Sequence, residues 1–227
     1  MNLLIVTHYL ENYSQLGELT TKNKGNYADR HGYDLFAQIG NYCDWGFDFQ
    51  RIKIIYDLLF KDRAEMRENG RPLGYMKIPD VIWWLGCDTM VMNMTKPVTD
   101  FLMPENKSLY IHKDVNGINN DSFLIRRTEW SKKWLEFVMS KEPEYKGDCW
   151  ESQRVFQHYV EKPEWNNQVE ILSHPGVNSY FYDEYNWPET TPGHIRKGDL
   201  LLHLPGMRLD QRMNIFTSQR VKDLMIE

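Results

Sequence analysis

Hydrophobic positions in this chain come as short unbroken runs separated by stretches with helical spacing. Leu3-Leu4-Ile5-Val6-Thr7 reads as the first core strand. Leu16, Leu19 and Tyr27 then share one side of a helix that closes at His31-Gly32, where Gly32 takes the position of a C-cap. Tyr33 to Ile39 is predicted as a second strand, and a loop carrying Gly40, Trp45 and Gly46 leads into a long helix from about Phe49 to Met66. Its apolar positions are Ile52, Ile55, Leu59 and Phe60, and Asn69-Gly70-Arg71-Pro72 marks a loop after it.

Beyond Pro79, Val81-Ile82-Trp83-Trp84-Leu85 is continuously apolar, as expected of a central strand covered on both faces. The run breaks at once into Gly86-Cys87-Asp88-Thr89. Loops at the carboxyl ends of strands in an open α/β sheet converge on ligands, so Asp88 is the first candidate for chemistry. Leu109 to His112 and Phe123 to Arg126 read as strands on either side of a polar loop, Lys113 to Asp121. Trp130, Trp134, Phe137 and Val138 mark a helix, and Glu151 to Val160 another. Val169 to Leu172 and Leu200 to His203 read as strands, with an aromatic loop from Tyr180 to Pro188 between them. Arg208 to Met225 reads as one C-terminal helix. This order describes a single mixed α/β domain over residues 1–227.

Composition narrows the function. The 227 residues suit one domain with a closed core. A net charge of −5 argues against affinity built on neutralising nucleic-acid phosphates. No segment approaches the ~20 apolar residues of a membrane span, and the first residues read as a core strand with no basic leader, so the expectation is a cytoplasmic protein. Three separated cysteines, Cys43, Cys87 and Cys149, suit reduced thiols. Aromatics reach 14% with eight Trp, which fits either a Trp-rich core or platforms on which sugars stack.

Asp88 after a buried strand and His203 after Leu200-Leu201-Leu202 offer donors that Mn²⁺ or Mg²⁺ accepts. Each also reads as an ordinary turn cap or a satisfied buried histidine. Their setting is more specific. Tyr27-Ala28-Asp29-Arg30-His31-Gly32-Tyr33-Asp34-Leu35, Trp83-Trp84-Leu85-Gly86-Cys87-Asp88-Thr89-Met90-Val91-Met92-Asn93, Gly117-Ile118-Asn119, Phe123-Leu124-Ile125-Arg126, Trp130-Ser131, Asn178-Ser179-Tyr180, Gly198-Asp199 and His203-Leu204-Pro205-Gly206 follow one another in the order seen in glycosyltransferase family 34. The chain resembles that family almost from end to end.

The resemblance implies a GT-A fold: a Rossmann-like mixed central sheet flanked by helices, with a nucleotide-binding half over about 1–115 and an acceptor and donor-sugar half over about 116–227. It implies transfer from a nucleotide diphosphate sugar, usually a UDP-sugar, to a glycan acceptor with retention of anomeric configuration. Asp88 matches the second, metal-binding Asp of the family's Asp-x-Asp, and His203 its late histidine ligand, so Mn²⁺ (or Mg²⁺) is the implied cation. Gly86 stands where the first Asp is expected. Arg208 and Lys53 fall at basic positions that meet the donor phosphates. Gln153 matches a glutamine near the reacting sugar carbon, with Glu151 beside it. Asp114, Asn116 and Asn119 fall where donor-sugar hydroxyls are bound, and Asn120-Asp121 departs from the small residues usual there. Trp45, Tyr182 and Trp187 are candidate acceptor platforms, and a homodimer is compatible with the resemblance. Two rival readings are a non-catalytic nucleotide-sugar or carbohydrate-binding protein of the same descent and a metal-dependent hydrolase.

Overall fold

The computed structural model of the protein describes residues 1–62, 67–68, 71–72, 77–102, 104–172, 177–181, 191 and 193–227. The first strand, β1 (Leu3–Tyr9), is buried along its whole length. It lies parallel to β2 (Asp34–Ile39) on one side and to β5 (Val81–Leu85) on the other. Beyond β5 the sheet reverses: β8 (Gly117–Arg126) runs antiparallel to both β5 and β7 (Leu109–Asp114), and β9 (Val169–Leu172) closes the far edge parallel to β7. The strand order is β2-β1-β5-β8-β7-β9. The two halves expected from the sequence therefore share one sheet, because β8 from the second half lies between two strands of the first.

Helices cover both faces. On β5, Ile82 and Trp84 point to one core and Val81, Trp83 and Leu85 to the other, as alternation along a strand requires. The first core holds α2 (Phe47–Phe60), α3 (Glu129–Ser140), the short α4 (Glu142–Tyr145) and α5 (Glu151–Tyr159), through Ile52, Ile55, Trp134, Tyr145 and Phe156. The second holds α1 (Ser14–His31) through Tyr27 and Ala28. Gly32 ends α1 in the left-handed conformation at φ 67°. Much of the aromatic excess is core: Trp130, Trp134, Trp165 and Phe137 form one cluster of stacked and edge-on rings. Trp45 packs half-buried against the same core, and Tyr182 and Trp187 lie outside the described residues. Among the described residues no helix is long and apolar enough to cross a membrane.

Four expectations change. Helix α2 stops at Phe60, where its apolar face stops, and Lys61 is already extended; residues 63–66 lie outside the described set. The Asn69-Gly70-Arg71-Pro72 segment carries β4 (Arg71–Pro72), paired antiparallel with β3 (Arg67–Glu68), while Asn69 and Gly70 lie outside the described residues. Lys113 to Asp121 is no loop: it forms the turn-side half of the β7–β8 hairpin, which turns at Val115-Asn116. Its strands hide from a hydrophobic-pattern reading because buried Asn119 and Asn120 occupy inward positions. The C-terminal segment breaks into α6 (Leu209–Phe216) and α7 (Gln219–Leu224), with the Ser218 side chain accepting from the Val221 N–H. A small second sheet, β10 (Ser179–Tyr180), β11 (Leu201–His203) and β6 (Thr89–Val91), follows directly on the turn after β5.

Gly17 faces the Tyr9 side chain so closely that a Cβ would overlap the ring. Helix propensity alone favours Gly17→Ala by ~1 kcal/mol, whereas forcing a buried ring aside costs ~1–3 kcal/mol. The variant is expected to be less stable in urea unfolding, and a gain in midpoint would refute the contact.

Candidate active site

Three backbone constraints shape the turn after β5. The Gly86 N–H donates to the Asp121 carbonyl at 2.8 Å, while the Gly86 carbonyl accepts from Thr89 Oγ1 at 2.7 Å and from Lys24 Nζ at 2.8 Å. Thr20 on α1 holds the Cys87 carbonyl at 2.8 Å. The chain then enters β6, which pairs antiparallel with β11 in a register that sets Thr89 opposite His203. That pairing brings the His203 imidazole to the side chain of Asp88.

His203 is fully buried, and neither ring nitrogen finds a hydrogen-bond partner among the described residues. Its Nε2 stands 3.7 Å from Asp88 Oδ1 and 3.6 Å from Asp121 Oδ2, beyond hydrogen-bonding distance from either. A buried imidazole without partners costs ~1–3 kcal/mol. A cation between these donors would remove that cost, and the mixed oxygen and imidazole set suits Mn²⁺ or Mg²⁺. As placed, no three His, Cys, Asp or Glu side chains among the described residues form a closed ligand set; the group is open and would have to draw in slightly.

Above this group lies a cleft of about 360 Å³ at the carboxyl ends of β1 and β5. Its polar wall includes His8, Asp48, Arg51, Asp88, Asp121 and Arg212, and its aromatic wall includes Tyr9, Tyr13, Phe47 and Trp84. Arg51 is buried on α2, where it pairs with Asp48 at 2.5 Å and with Asp121, lies over the Trp84 ring and donates to Asn120. Burial opposes its charge, but the Asp121 and Asp48 carboxylates outweigh that and raise its pKa further. Burial also works to raise the Asp121 carboxyl, yet Arg51, helped by His203, holds it below the usual range. Asp48 goes the other way, because for it burial outweighs Arg51. Arg212 on α6 pairs with Asp88 Oδ2 at 2.9 Å and donates from Nε to the Leu204 carbonyl at 2.9 Å.

Several residues singled out in the sequence stand elsewhere. Arg208 does not line the cleft: its side chain is 73% exposed and pairs with Asp210 at the start of α6, and Arg212, one turn on, takes the inward place. Lys53 pairs with Asp57 along α2, and Arg51, two residues earlier and so on another side of the helix, faces the cleft. Glu151 turns to the start of α2, where Oε2 accepts from the Asp48 N–H at 3.2 Å and packs on Gly46, which has no room for a Cβ. Its backbone is strained, at φ 30°. Gln153 Oε1 accepts from the Asn120 N–H at 3.3 Å, next to Asp121. Asp114 and Asn119 join a polar network in which Asp114 Oδ2 accepts from Tyr180 Oη at 2.8 Å and from Asn119 Nδ2 at 2.9 Å. Asn116 is a turn residue whose N–H donates to Asp114. Asp48, Arg51, Asp121 and Arg212 are charged cleft residues that sequence reasoning missed, and Lys24, buried beneath the Gly86 carbonyl, is a fifth charged group beside them. For Asp121 the signal was its departure from the small residues of the family pattern.

Lys24 lies fully buried beneath the Gly86 carbonyl. Burial lowers its pKa from 10.5 to about 8, against smaller opposing effects of Cys87 and Asp88. Between those values the unfolded chain binds more protons than the folded one, so this lysine makes stability rise with pH. Relative to Lys24→Met, the wild type is expected to gain ~2–3 kcal/mol between pH 7 and pH 10. Denaturant unfolding of both proteins at the two pH values measures it, and a constant difference would show that Lys24 is not desolvated.

The mixed central sheet flanked by helices matches GT-A glycosyltransferase structures. The likeness is direct: a crystal structure of a glycosyltransferase involved in glycosylation of the major capsid of PBCV-1 superposes at TM-score 0.70 and 16% identity, covering 93% of this chain and 97% of that one. The galactosyltransferase LgtC, solved with donor and acceptor sugar analogues, superposes at TM-score 0.50 and 12% identity over 98% of this chain and 100% of that one. The sequence profile of the galactosyl transferase GMA12/MNN10 family matches residues 100–214, and the chain belongs to that family. An α-1,2-galactosyltransferase of Schizosaccharomyces pombe is 23% identical across 82% of this chain and 54% of its own length. The chain thus spans about half the length of that relative.

Proposed function

We propose that this chain is a glycosyltransferase that moves a sugar from a UDP-sugar to a glycan acceptor with retention of anomeric configuration, using Mn²⁺ or Mg²⁺ at Asp88 and His203. The observation that carries the reading is the buried, unpartnered His203 imidazole beside Asp88, directly below the cleft. A cation bound there would neutralise the charge that builds on the diphosphate leaving group. Family membership supports the reaction class, and the cleft volume suits a small ligand.

The chain's own groups divide the work. Asp48, Asp88 and Asp121 face Arg51, Arg212 and the buried Lys24, so the formal charges around the cleft cancel. A cation alone or a diphosphate alone would upset that balance, whereas the two together largely preserve it, so each should favour binding of the other. Arg212 is the guanidinium that can leave Asp88 and grip phosphate oxygens once a cation takes its place. The aromatic wall of Tyr9, Tyr13 and Phe47 suits the nucleobase. Asp114, Asn119 and Gln153 are the groups assigned to the donor sugar, and the bonds of Asn119 and Gln153 to the backbone of 120–121 hold them beside the carboxylate cluster. Glu151 serves the start of α2 instead.

Calorimetry of UDP binding is expected to show affinity that depends on Mn²⁺ and disappears in Asp88→Asn. Equal UDP affinity with and without the cation would refute the metal assignment. Turnover of donor, including slow hydrolysis without acceptor, separates the enzyme from a non-catalytic binder.

The two arginines give a second test. Loss of a charge-assisted contact costs ~1.5–3 kcal/mol, so Arg212→Ala should weaken UDP binding in the presence of Mn²⁺ by ~10–100-fold. Arg208→Ala should stay within about twofold, as exposed ion pairs contribute little. The reverse ranking would return the diphosphate to Arg208.

A further inference from the structure

Gly86 and Asp121 occupy complementary positions across the β5–β8 pairing. A Cβ at Gly86 would stand 2.9 Å from Asp88 Oδ1 and 3.5 Å from Asp121 Oδ1, so two carboxylates already converge on the space above this glycine. They are anchored to one another through the backbone, because the Gly86 N–H donates to the Asp121 carbonyl at 2.8 Å. The Asp121 N–H is held in turn by Asn119 Oδ1 at 2.9 Å. The aspartate is therefore fixed on both sides of its own peptide.

Its carboxylate is also oriented. Oδ1 is held by Arg51 Nη1, which leaves Oδ2 facing His203 Nε2 at 3.6 Å. On the other side, Asp88 Oδ1 faces the same nitrogen at 3.7 Å. Donor atoms bound to one cation at about 2.1 Å each stand roughly 3–3.7 Å apart, so both separations fit a shared ion and exceed a hydrogen bond. The imidazole between them is fully buried and without a hydrogen-bond partner among the described residues. Two independent features thus meet at one nitrogen, namely the carboxylate oxygens that face it and its own lack of a partner, and a small inward movement would close all three on one ion.

We infer that Asp121 is a third protein ligand of the cation, delivered from β8 into the place that Gly86 leaves open on β5, and that Arg51 positions it through Oδ1. The inference rests on the cation reading proposed above and deepens it. Gly86 then has a physical reason: a carboxylate rooted there would compete with Asp121 for the same space. Arg51 acts as the outer partner that orients a ligating carboxylate, in the manner of groups hydrogen-bonded to metal ligands.

The test is Mn²⁺ binding to the purified chain, read from the electron paramagnetic resonance of the free ion without any turnover. Asp88→Asn and Asp121→Asn are each expected to weaken Mn²⁺ binding by ~10-fold or more. If Asp88→Asn loses binding while Asp121→Asn stays within about twofold of wild type, the role of Asp121 is overturned and the cation site stands. Should wild type bind no Mn²⁺, or Asp88→Asn bind it undiminished, the cation reading itself falls. Because Asp121→Asn also removes a partner of buried Arg51 and can impair folding, anomalous diffraction from wild-type crystals soaked in MnCl₂ provides a measurement without a variant. A peak at about 2.2 Å from Asp121 Oδ2 is expected. A peak bonded to Asp88 and His203 with Asp121 outside bonding distance would overturn the inference.

Discussion

Carboxylates crowded at one end of a buried sheet repel one another, and the structure around Asp48, Asp88 and Asp121 is arranged to hold them in place. Arg51 lies between Asp48 and Asp121 with almost no exposure, Arg212 takes Asp88, and Lys24 sets an ammonium beneath the Gly86 carbonyl. Removing one member of such a buried pair leaves a charge without compensation, at a cost of ~3–5 kcal/mol. The positions of α1, α2 and α6 are therefore tied to the charges they bring: each helix supplies one cation to the end of β5. What reads as a cleft is equally the meeting point of the three helices with the sheet.

The second constraint is register. β6 is only three residues long, but its pairing with β11 sets Thr89 against His203, and the bond from the Leu204 N–H to the Asp88 carbonyl at 3.0 Å fixes the next step. Residues far apart in the chain, 88 and 203, meet because a short antiparallel pair continues directly from the turn after β5. On the other side, β8 brings Asp121 to Gly86 through a backbone bond of the β5–β8 pairing region. Backbone pairing places the donors, and the side chains add chemistry to positions already determined.

The sequence showed much of the fold and less of the site, and the difference has a physical cause. Strands β1 and β5 are buried on both faces and so read as unbroken apolar runs. The β7–β8 hairpin did not, because it buries Asn119, Asn120 and Ser122, whose hydrogen bonds replace hydrophobic packing and erase the period-2 pattern. Asp88 was legible from its position after a buried strand. Arg51 and Arg212 were not, since helix rotation decides which of several nearby basic residues faces inward, and rotation follows from packing that spacing alone does not reveal. Family likeness pointed to Lys53 and Arg208, whereas the cleft is lined by Arg51 and Arg212.

The family resemblance leads one to expect an aspartate where Gly86 stands, and such a departure is easily taken as decay. The neighbouring strand changes its meaning. Asp121 does not sit there freely, because its setting works against ionisation and Arg51 is needed to sustain the charge. Nor does an imidazole as deeply buried as His203 go freely without a hydrogen-bond partner among the described residues, since a leucine there would avoid the cost of the unpaired nitrogens. Under the cation reading proposed above the two observations share one cause: these groups would be held against their own solvation preferences by the charged group that comes to meet them. On that reading, a carboxylate carried by β8 where Gly86 leaves β5 without one keeps the number of negative groups at the end of the sheet, and with it the requirement for Arg51, Arg212 and Lys24.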